Sequence, residues 1–309
     1  MQLISFVLPI YNEQDNIPKL WEELLSLKSK IENEYNLEFI FVNDGSEDNS
    51  INELVKIYET NKGVVKIVDF ARNHGHQIAV TAGQDIAKGD AVIIMDTDLQ
   101  DPPETCLDLI AKWKEGFDIV YAQRSRYKTN FFKEKSAFVF YRLLKSIASV
   151  DIPVDTGDFR LLSKRVNEEM KLYKEKSRYL RGITSLIGFK QTAIQFQRSE
   201  RFAGKPGYTL GKSIQLALNG ITGFSVFPLQ LISFVGMAFS IFGFGFGILY
   251  VIYALWTRST TNGWASLMFV IIFTSGIQML MLGLIGEYLG RVYVQSLDRP
   301  LYTVDKVWE

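Results

Sequence analysis

Ala91-Val92-Ile93-Ile94-Met95-Asp96-Thr97-Asp98-Leu99-Gln100-Asp101-Pro102-Pro103-Glu104 reads as a short apolar strand running into two carboxylates and a proline-led helix. Five apolar residues without interruption fit a strand covered on both faces, as in a parallel sheet flanked by helices. Two carboxylates two residues apart, just past that strand, can both meet one hard divalent cation. Taken alone, the same residues also fit an acidic turn before a helix with proline at its first position.

Outward from this stretch the pattern repeats. Ile4–Pro9, Leu37–Val42, Val64–Phe70 and Asp118–Ala122 are further apolar strand candidates. Asn16–Asn33, Ile51–Thr60, Gln77–Ile86 and Pro103–Lys114 read as the helices between them. Strands alternating with helices imply βαβ crossovers, hence an α/β domain with a mostly parallel sheet. In such sheets ligands bind beyond the carboxyl ends of the strands. Asn12 and Glu13, Asn43 and Asp44, Arg72 and Asn73, Asp96 and Asp98, and Arg124 all stand just past a strand. Turn chemistry accounts for Asn43-Asp44-Gly45-Ser46 on its own. It does not account for a charged or amide side chain at every one of the five positions.

The second half differs in kind. Between Lys212 and Glu287 the one charged residue is Arg258. Phe224–Trp256 and Trp264–Ile285 are uncharged runs of bilayer-spanning length, since about 20 apolar residues cross a membrane. Tyr250, Tyr253, Trp256 and Trp264 stand where aromatic belts form. Arg201, Lys205 and Lys212 precede the pair, and Arg291, Arg299 and Lys306 follow it. The positive-inside rule then sets both flanks in the cytoplasm and the short connecting loop outside. Ile214–Phe224 is expected to lie along the membrane surface. Nothing in Met1–Phe6 resembles a signal peptide, so the first domain is expected to stay on the cytoplasmic side.

Composition excludes several classes. Basic and acidic residues balance at 34 each, against the basic excess of nucleic-acid binders. Cys106 is the single cysteine, which rules out an internal disulfide and a cysteine-based metal site.

Val7-Leu8-Pro9-Ile10-Tyr11-Asn12-Glu13, Val42-Asn43-Asp44-Gly45-Ser46 and the Asp96–Glu104 run resemble the motifs of inverting family-2 glycosyltransferases with the GT-A fold. More narrowly, Thr156-Gly157-Asp158-Phe159-Arg160-Leu161 and Gly286-Glu287-Tyr288-Leu289-Gly290-Arg291-Val292-Tyr293 resemble polyprenyl-phosphate glycosyltransferases. These include bactoprenol glucosyltransferases of the GtrB type and dolichyl-phosphate mannose synthases. The resemblance implies a GT-A catalytic domain over 1–212, an interfacial helix with two transmembrane helices over 213–289, and a cytoplasmic tail over 290–309. It implies residence in the bacterial cytoplasmic membrane and an expected homotetramer.

The roles it implies are specific. Pro9, Tyr11, Asn12, Glu13, Asp44, Arg72 and Asp96 hold the nucleotide-sugar. Asp96, Asp98 and Gln100 form the site for Mg²⁺ or Mn²⁺ and the diphosphate. Asp158, with Asp98, is the catalytic candidate. Arg124, Lys133, Ser136 and Arg201 match the acceptor-phosphate clamp. The family's Arg-x-x-Gly-x-Ser-Lys-Tyr segment is here Arg201-Phe202-Ala203-Gly204-Lys205-Pro206-Gly207-Tyr208, with Gly207 at the usual lysine. The expected reaction is transfer of a sugar, glucose from UDP-glucose in the first instance, to undecaprenyl phosphate. GDP-mannose and a UDP-aminoarabinose derivative remain open as donors. A processive polysaccharide synthase is disfavoured by two membrane segments and no Gln-x-x-Arg-Trp motif. A non-catalytic sugar-nucleotide-binding membrane subunit is the alternative from another class.

Overall fold

The computed structural model describes residues 1–124, 156–197, 227–257 and 263–309. Among them eight strands form one sheet. In chain order these are β1 (Gln2–Ile10), β2 (Tyr35–Asn43), β3 (Val65–Phe70), β4 (Ala91–Ile94), β5 (Ile119–Arg124), β6 (Thr156–Ser163), β7 (Gln191–Phe196) and β8 (Val304–Trp308). Helices α1 (Ile17–Ile31), α2 (Ser50–Thr60), α3 (His76–Ile86) and α4 (Thr105–Lys114) connect the first five strands. Then come α5 (Lys164–Leu172) and α6 (Leu180–Ile187), followed by the long α7 (Phe227–Thr257) and α8 (Trp264–Ser296).

The spatial order is β7-β5-β6-β4-β1-β2-β3-β8. β1 pairs in parallel with both β2 and β4, β2 with β3, and β5 with β7. β6 runs antiparallel between β4 and β5, and β8 antiparallel along β3. The mostly parallel α/β reading holds, with two antiparallel strands added to it. The chain steps outward from β1 to β3 and then crosses back to β4 on the other flank of β1. The crevice at the ends of β1 and β4 is therefore the switch point where such sheets bind ligands.

The strands bury both faces, as their mostly apolar sequences lead one to expect. Ile4, Phe6, Leu8 and Ile10 join Leu20, Leu24, Phe39 and Leu109 in one core layer. Val7, Ile40 and Val42 join Val80, Ile94, Leu162 and Ile183 in the other. Helix α1 shows why it forms. Ile17, Leu20, Leu24, Leu27 and Ile31 recur on one face and are buried, with proline in the first turn and Lys28 and Lys30 in the last. Helix α4 starts at Thr105, two residues after the position the sequence indicated. Pro102 and Pro103 instead cap the turn, their carbonyls accepting from Thr105 and Cys106.

Cys106 is fully buried, and burial pushes its thiol pKa up. A thiolate, not a thiol, is the nucleophile toward disulfide reagents. The folded chain should therefore give close to no reaction with Ellman's reagent at pH 8, and about one thiol per chain after denaturation.

α7 and α8 have 31 and 33 residues; α7, and α8 as far as Gly286, carry no charged residue. Each is long and apolar enough to cross a bilayer. Residues 290–309, expected as a tail, carry regular structure. Gly290–Ser296 completes α8, and Val304–Trp308 returns as an edge strand on β3. Tyr302 stacks on Phe70 at 5.0 Å, and its hydroxyl donates to Asp85 at 3.0 Å. The C-terminus thus lies on the same side of α8 as the sheet.

Candidate active site

The rim of the sheet is assembled by loops that hold one another. Asn12, at φ 55°, accepts the Glu47 N–H at 2.8 Å, while its own N–H donates to Ser46 Oγ at 2.9 Å. Ser46 Oγ donates to Asn43 Oδ1 at 2.5 Å, and Asn43 Nδ2 donates to Asp69 at 2.7 Å. Asp44 is buried and accepts the N–H groups of His74 and Gly75 at 2.6 and 2.9 Å. Burial pushes its carboxyl pKa up, and those two N–H groups offset part of the rise. Asp44 thereby pins the loop after β3 to the loop after β2. Tyr11, Asn12 and Arg72 are exposed at the rim, Glu13 is half-buried, and Pro9 is buried in β1.

Across the switch point stands the Asp96–Gln100 loop. Thr97 donates to the Pro9 carbonyl at 3.0 Å, tying this loop to β1. Leu99 takes φ 58°, an uncommon conformation for a branched side chain, at the turn between the acidic pair and Asp101. Asp98 is buried and accepts the Gln100 N–H at 3.2 Å; Asp96 is half-buried. Two carboxylates and an amide are hard oxygen donors of the kind Mg²⁺ or Mn²⁺ accepts when phosphate and water complete its shell.

Behind the loop lies Asp158. The β4–β6 ladder pairs Ile94 with Arg160, and its continuation by two residues brings Asp158 opposite Asp96. Being antiparallel, β6 delivers its first residues to the rim where the parallel strands end. Asp158 is buried, and four groups surround its carboxylate. Arg181 Nε donates to Oδ1 at 2.9 Å, and an Arg160 guanidinium nitrogen lies 3.6 Å from the same oxygen. Gln77 Nε2 donates to Oδ2 at 2.9 Å, with His76 Nε2 at 3.2 Å. His76 also lies 3.5 Å from Asp96. Burial alone would raise the Asp158 pKa; Arg181 and His76 outweigh it and hold the carboxyl well below the usual range. For His76, burial opposes the charge, but Asp158 and Asp96 prevail and push it up to about 9.

His76, Gln77, Arg160 and Arg181 are absent from the sequence-derived set, yet they form the inner wall. A sequence signal was present: His76 and Gln77 open α3 and Arg181 opens α6, polar groups on the first turns of helices with buried faces. The side chain of Arg124, and Lys133, Ser136 and Arg201, lie outside the described residues.

A cavity of ≈ 300 Å³ opens beside Asp158, lined among others by His76, Lys176, Arg178 and Arg181. Its far wall, the segment between α5 and α6, is docked on the end of α8. Gln295 Oε1 accepts the Lys176 N–H at 2.9 Å, and Gln295 Nε2 donates to the Lys174 carbonyl at 3.0 Å. Lys176 Nζ reaches Asp298 at 3.3 Å and also meets the Arg299 carbonyl.

Residues 5–171, more than half of the chain, match the model of glycosyl transferase family 2. The chain belongs to that family. Residues 228–292 of this family-2 transferase match the GtrB C-terminal hairpin. It is 48% identical to an uncharacterized glycosyltransferase, YkcC, of Bacillus subtilis, covering 98% of this chain and 93% of that one. It is 38% identical to a prophage bactoprenol glucosyl transferase homolog of Escherichia coli, covering 98% and 99% of the two chains. The bactoprenol glucosyl transferase of Shigella phage SfV is also 38% identical, with 97% of each chain covered. Glucosyl-3-phosphoglycerate synthase from Mycobacterium tuberculosis, solved with Mn²⁺ and UDP, is 18% identical with a TM-score of 0.47, over 72% of this chain and 76% of that one.

Proposed function

We propose that this transferase moves glucose from UDP-glucose to the phosphate of undecaprenyl phosphate, with inversion, at the cytoplasmic face of the membrane. The observation that carries the reading is the docking of the α8 end on the wall of the Asp158 cavity. Gln295 lies ten residues past Ile285, about 15 Å along a helix. A site anchored there sits at or just past the headgroup level, where the phosphate of a membrane-bound polyprenol is held. The relatives named as bactoprenol glucosyl transferases support the acceptor and the sugar. On this reading α7 and α8 cross the membrane, and the sheet and both termini face the cytoplasm.

A phosphate oxygen of the acceptor attacks the anomeric carbon; the bond from that carbon to the nucleoside diphosphate breaks, and UDP leaves with its electron pair. A phosphate monoester loses its second proton near pH 6, so the acceptor is largely dianionic at neutral pH. The reaction therefore asks less of a general base than transfer to a hydroxyl would. Pro9, Tyr11, Asn12, Glu13, Asp44 and Arg72 form the nucleotide side of the site. A divalent cation held by Asp96, Asp98 and Gln100 would neutralise charge on the departing diphosphate. Arg124, Lys133, Ser136 and Arg201 are assigned to the acceptor phosphate.

The full-length enzyme with undecaprenyl phosphate, Mg²⁺ or Mn²⁺ and a panel of UDP-glucose, GDP-mannose and a UDP-aminoarabinose derivative is the test. Glucose-labelled lipid formed from UDP-glucose is the expected product. Labelling from another donor would overturn the glucose assignment, and no labelled lipid from any donor would overturn the transfer itself.

A further inference from the structure

Asp158 has the surroundings of a held anion. A carboxylate offers about four acceptor positions. Here Oδ2 accepts from Gln77 and has His76 at 3.2 Å, while Oδ1 accepts from Arg181 with the Arg160 guanidinium 3.6 Å away. A carboxylate faced by two guanidinium groups is held in its charged form and is a poor proton acceptor. Gln77 is itself fixed at both ends, since its Oε1 accepts the Leu180 N–H at 3.0 Å. That bond ties α3, Asp158 and the start of α6 into one unit.

The two arginines differ in what they have left to give. Arg160 is 4% exposed and donates to the Gly157 and Asp158 carbonyls and Thr184 Oγ1. The Arg181 side chain is 30% exposed and lines the cavity. It meets Asp158 through Nε, and its two terminal nitrogens form no hydrogen bond among the described residues. Arg160 and Arg181 together face one carboxylate, and His76 is shared between Asp158 and Asp96. Two guanidinium groups thus meet one carboxylate, and the outer one presents to the half-buried cleft a planar fork suited to phosphate oxygens.

We propose that Arg181 contacts a phosphate oxyanion of the substrates, and that Asp158 is a positioning residue for it in place of a proton acceptor. The inference rests on the transfer reaction proposed above. The oxyanion belongs either to the acceptor monoester or to the donor diphosphate, and kinetics with each substrate varied separately tells them apart.

The test uses the full-length enzyme, undecaprenyl phosphate and the active donor. Arg181→Gln should raise one KM at least tenfold: the acceptor's for the monoester, the donor's for the diphosphate. Arg181→Ala should recover activity in added guanidinium, which a structural defect would not allow. Asp158→Asn should raise the same KM, and the double variant Arg181→Gln/Asp158→Asn should lose no more than the worse single one, since the two act as a unit. Should Arg181→Gln fail to fold, Arg181→Lys with the same two KM measurements serves in its place. The proposal is overturned if both KM values stay within twofold in the Arg181 variant while Asp158→Asn abolishes turnover at unchanged KM. A wild-type enzyme that labels no lipid would instead overturn the transfer reaction, a distinct outcome.

Discussion

Asp98→Asn is expected to lower sugar transfer about a thousandfold while leaving the fold intact. The side chain is buried, and its Oδ1 accepts the Gln100 N–H at 3.2 Å. An asparagine carbonyl can accept the same bond, so the turn around Leu99 should survive and the melting temperature should stay within about 2 °C of wild type. What is lost is one of two negative charges on the cation proposed for this loop. Removing one electrostatic contact to charge that develops in a transition state typically costs 10²–10³ in rate, and about 4 kcal/mol corresponds to a thousandfold. Initial rates measured across a Mn²⁺ titration check this. Wild type should lose activity in EDTA and regain it with excess metal; the variant should remain slow at millimolar metal. A variant within tenfold of wild type under those conditions would remove Asp98 from the cation site.

The first five strands were legible because each is a mostly apolar run, and two-sided burial favours such runs. β6 was not, because the start of its run carries Asp158 and Arg160, buried polar groups that pair with each other and with α6. β8 escaped for the opposite reason. Val304-Asp305-Lys306-Val307-Trp308 is a short, mostly exposed edge strand, and its place is set by β3 and Tyr302 more than by its own pattern. The site shows the same division. Residues that follow strands were readable from the rim rule, but part of their polarity serves the loops themselves: Asn12 holds Glu47, and Asp44 holds His74 and Gly75. His76, Gln77 and Arg181 belong to helix starts, and their convergence on Asp158 depends on the antiparallel insertion of β6. Topology of that kind leaves no mark in local sequence.

The loop contacts make Gly45 the position where one methyl group should do most harm. Gly45 has φ 63°, and a Cβ there would stand 2.4 Å from the Arg72 carbonyl carbon and 2.6 Å from the Asn73 nitrogen. The obstructing atoms are backbone and cannot swing aside. The left-handed conformation costs a side chain roughly 1–2 kcal/mol, and overpacking costs about 1–3 kcal/mol more. Gly45→Ala should therefore lose about 3 kcal/mol, a fall of roughly 6–12 °C at 2–4 °C per kcal/mol in a domain of this size. Gly63 supplies the control. It has φ 85° with nothing within 4 Å of its Cβ position, so Gly63→Ala carries the conformational cost of roughly 1–2 kcal/mol without the overlap and should fall by only about 2–8 °C, less than Gly45→Ala measured alongside it. Activity should separate the two further. The backbone that Gly45→Ala displaces continues into His74 and Gly75, which Asp44 pins, and then into His76 and Gln77, which hold Asp158. Transfer should drop at least tenfold in Gly45→Ala at a temperature where both variants are folded, and stay near wild type in Gly63→Ala. Equal melting temperatures and equal rates for the two would mean that the loops after β2 and β3 do not depend on their close approach. The rim would then owe its shape to the hydrogen bonds of Asp44 and Asn12 alone.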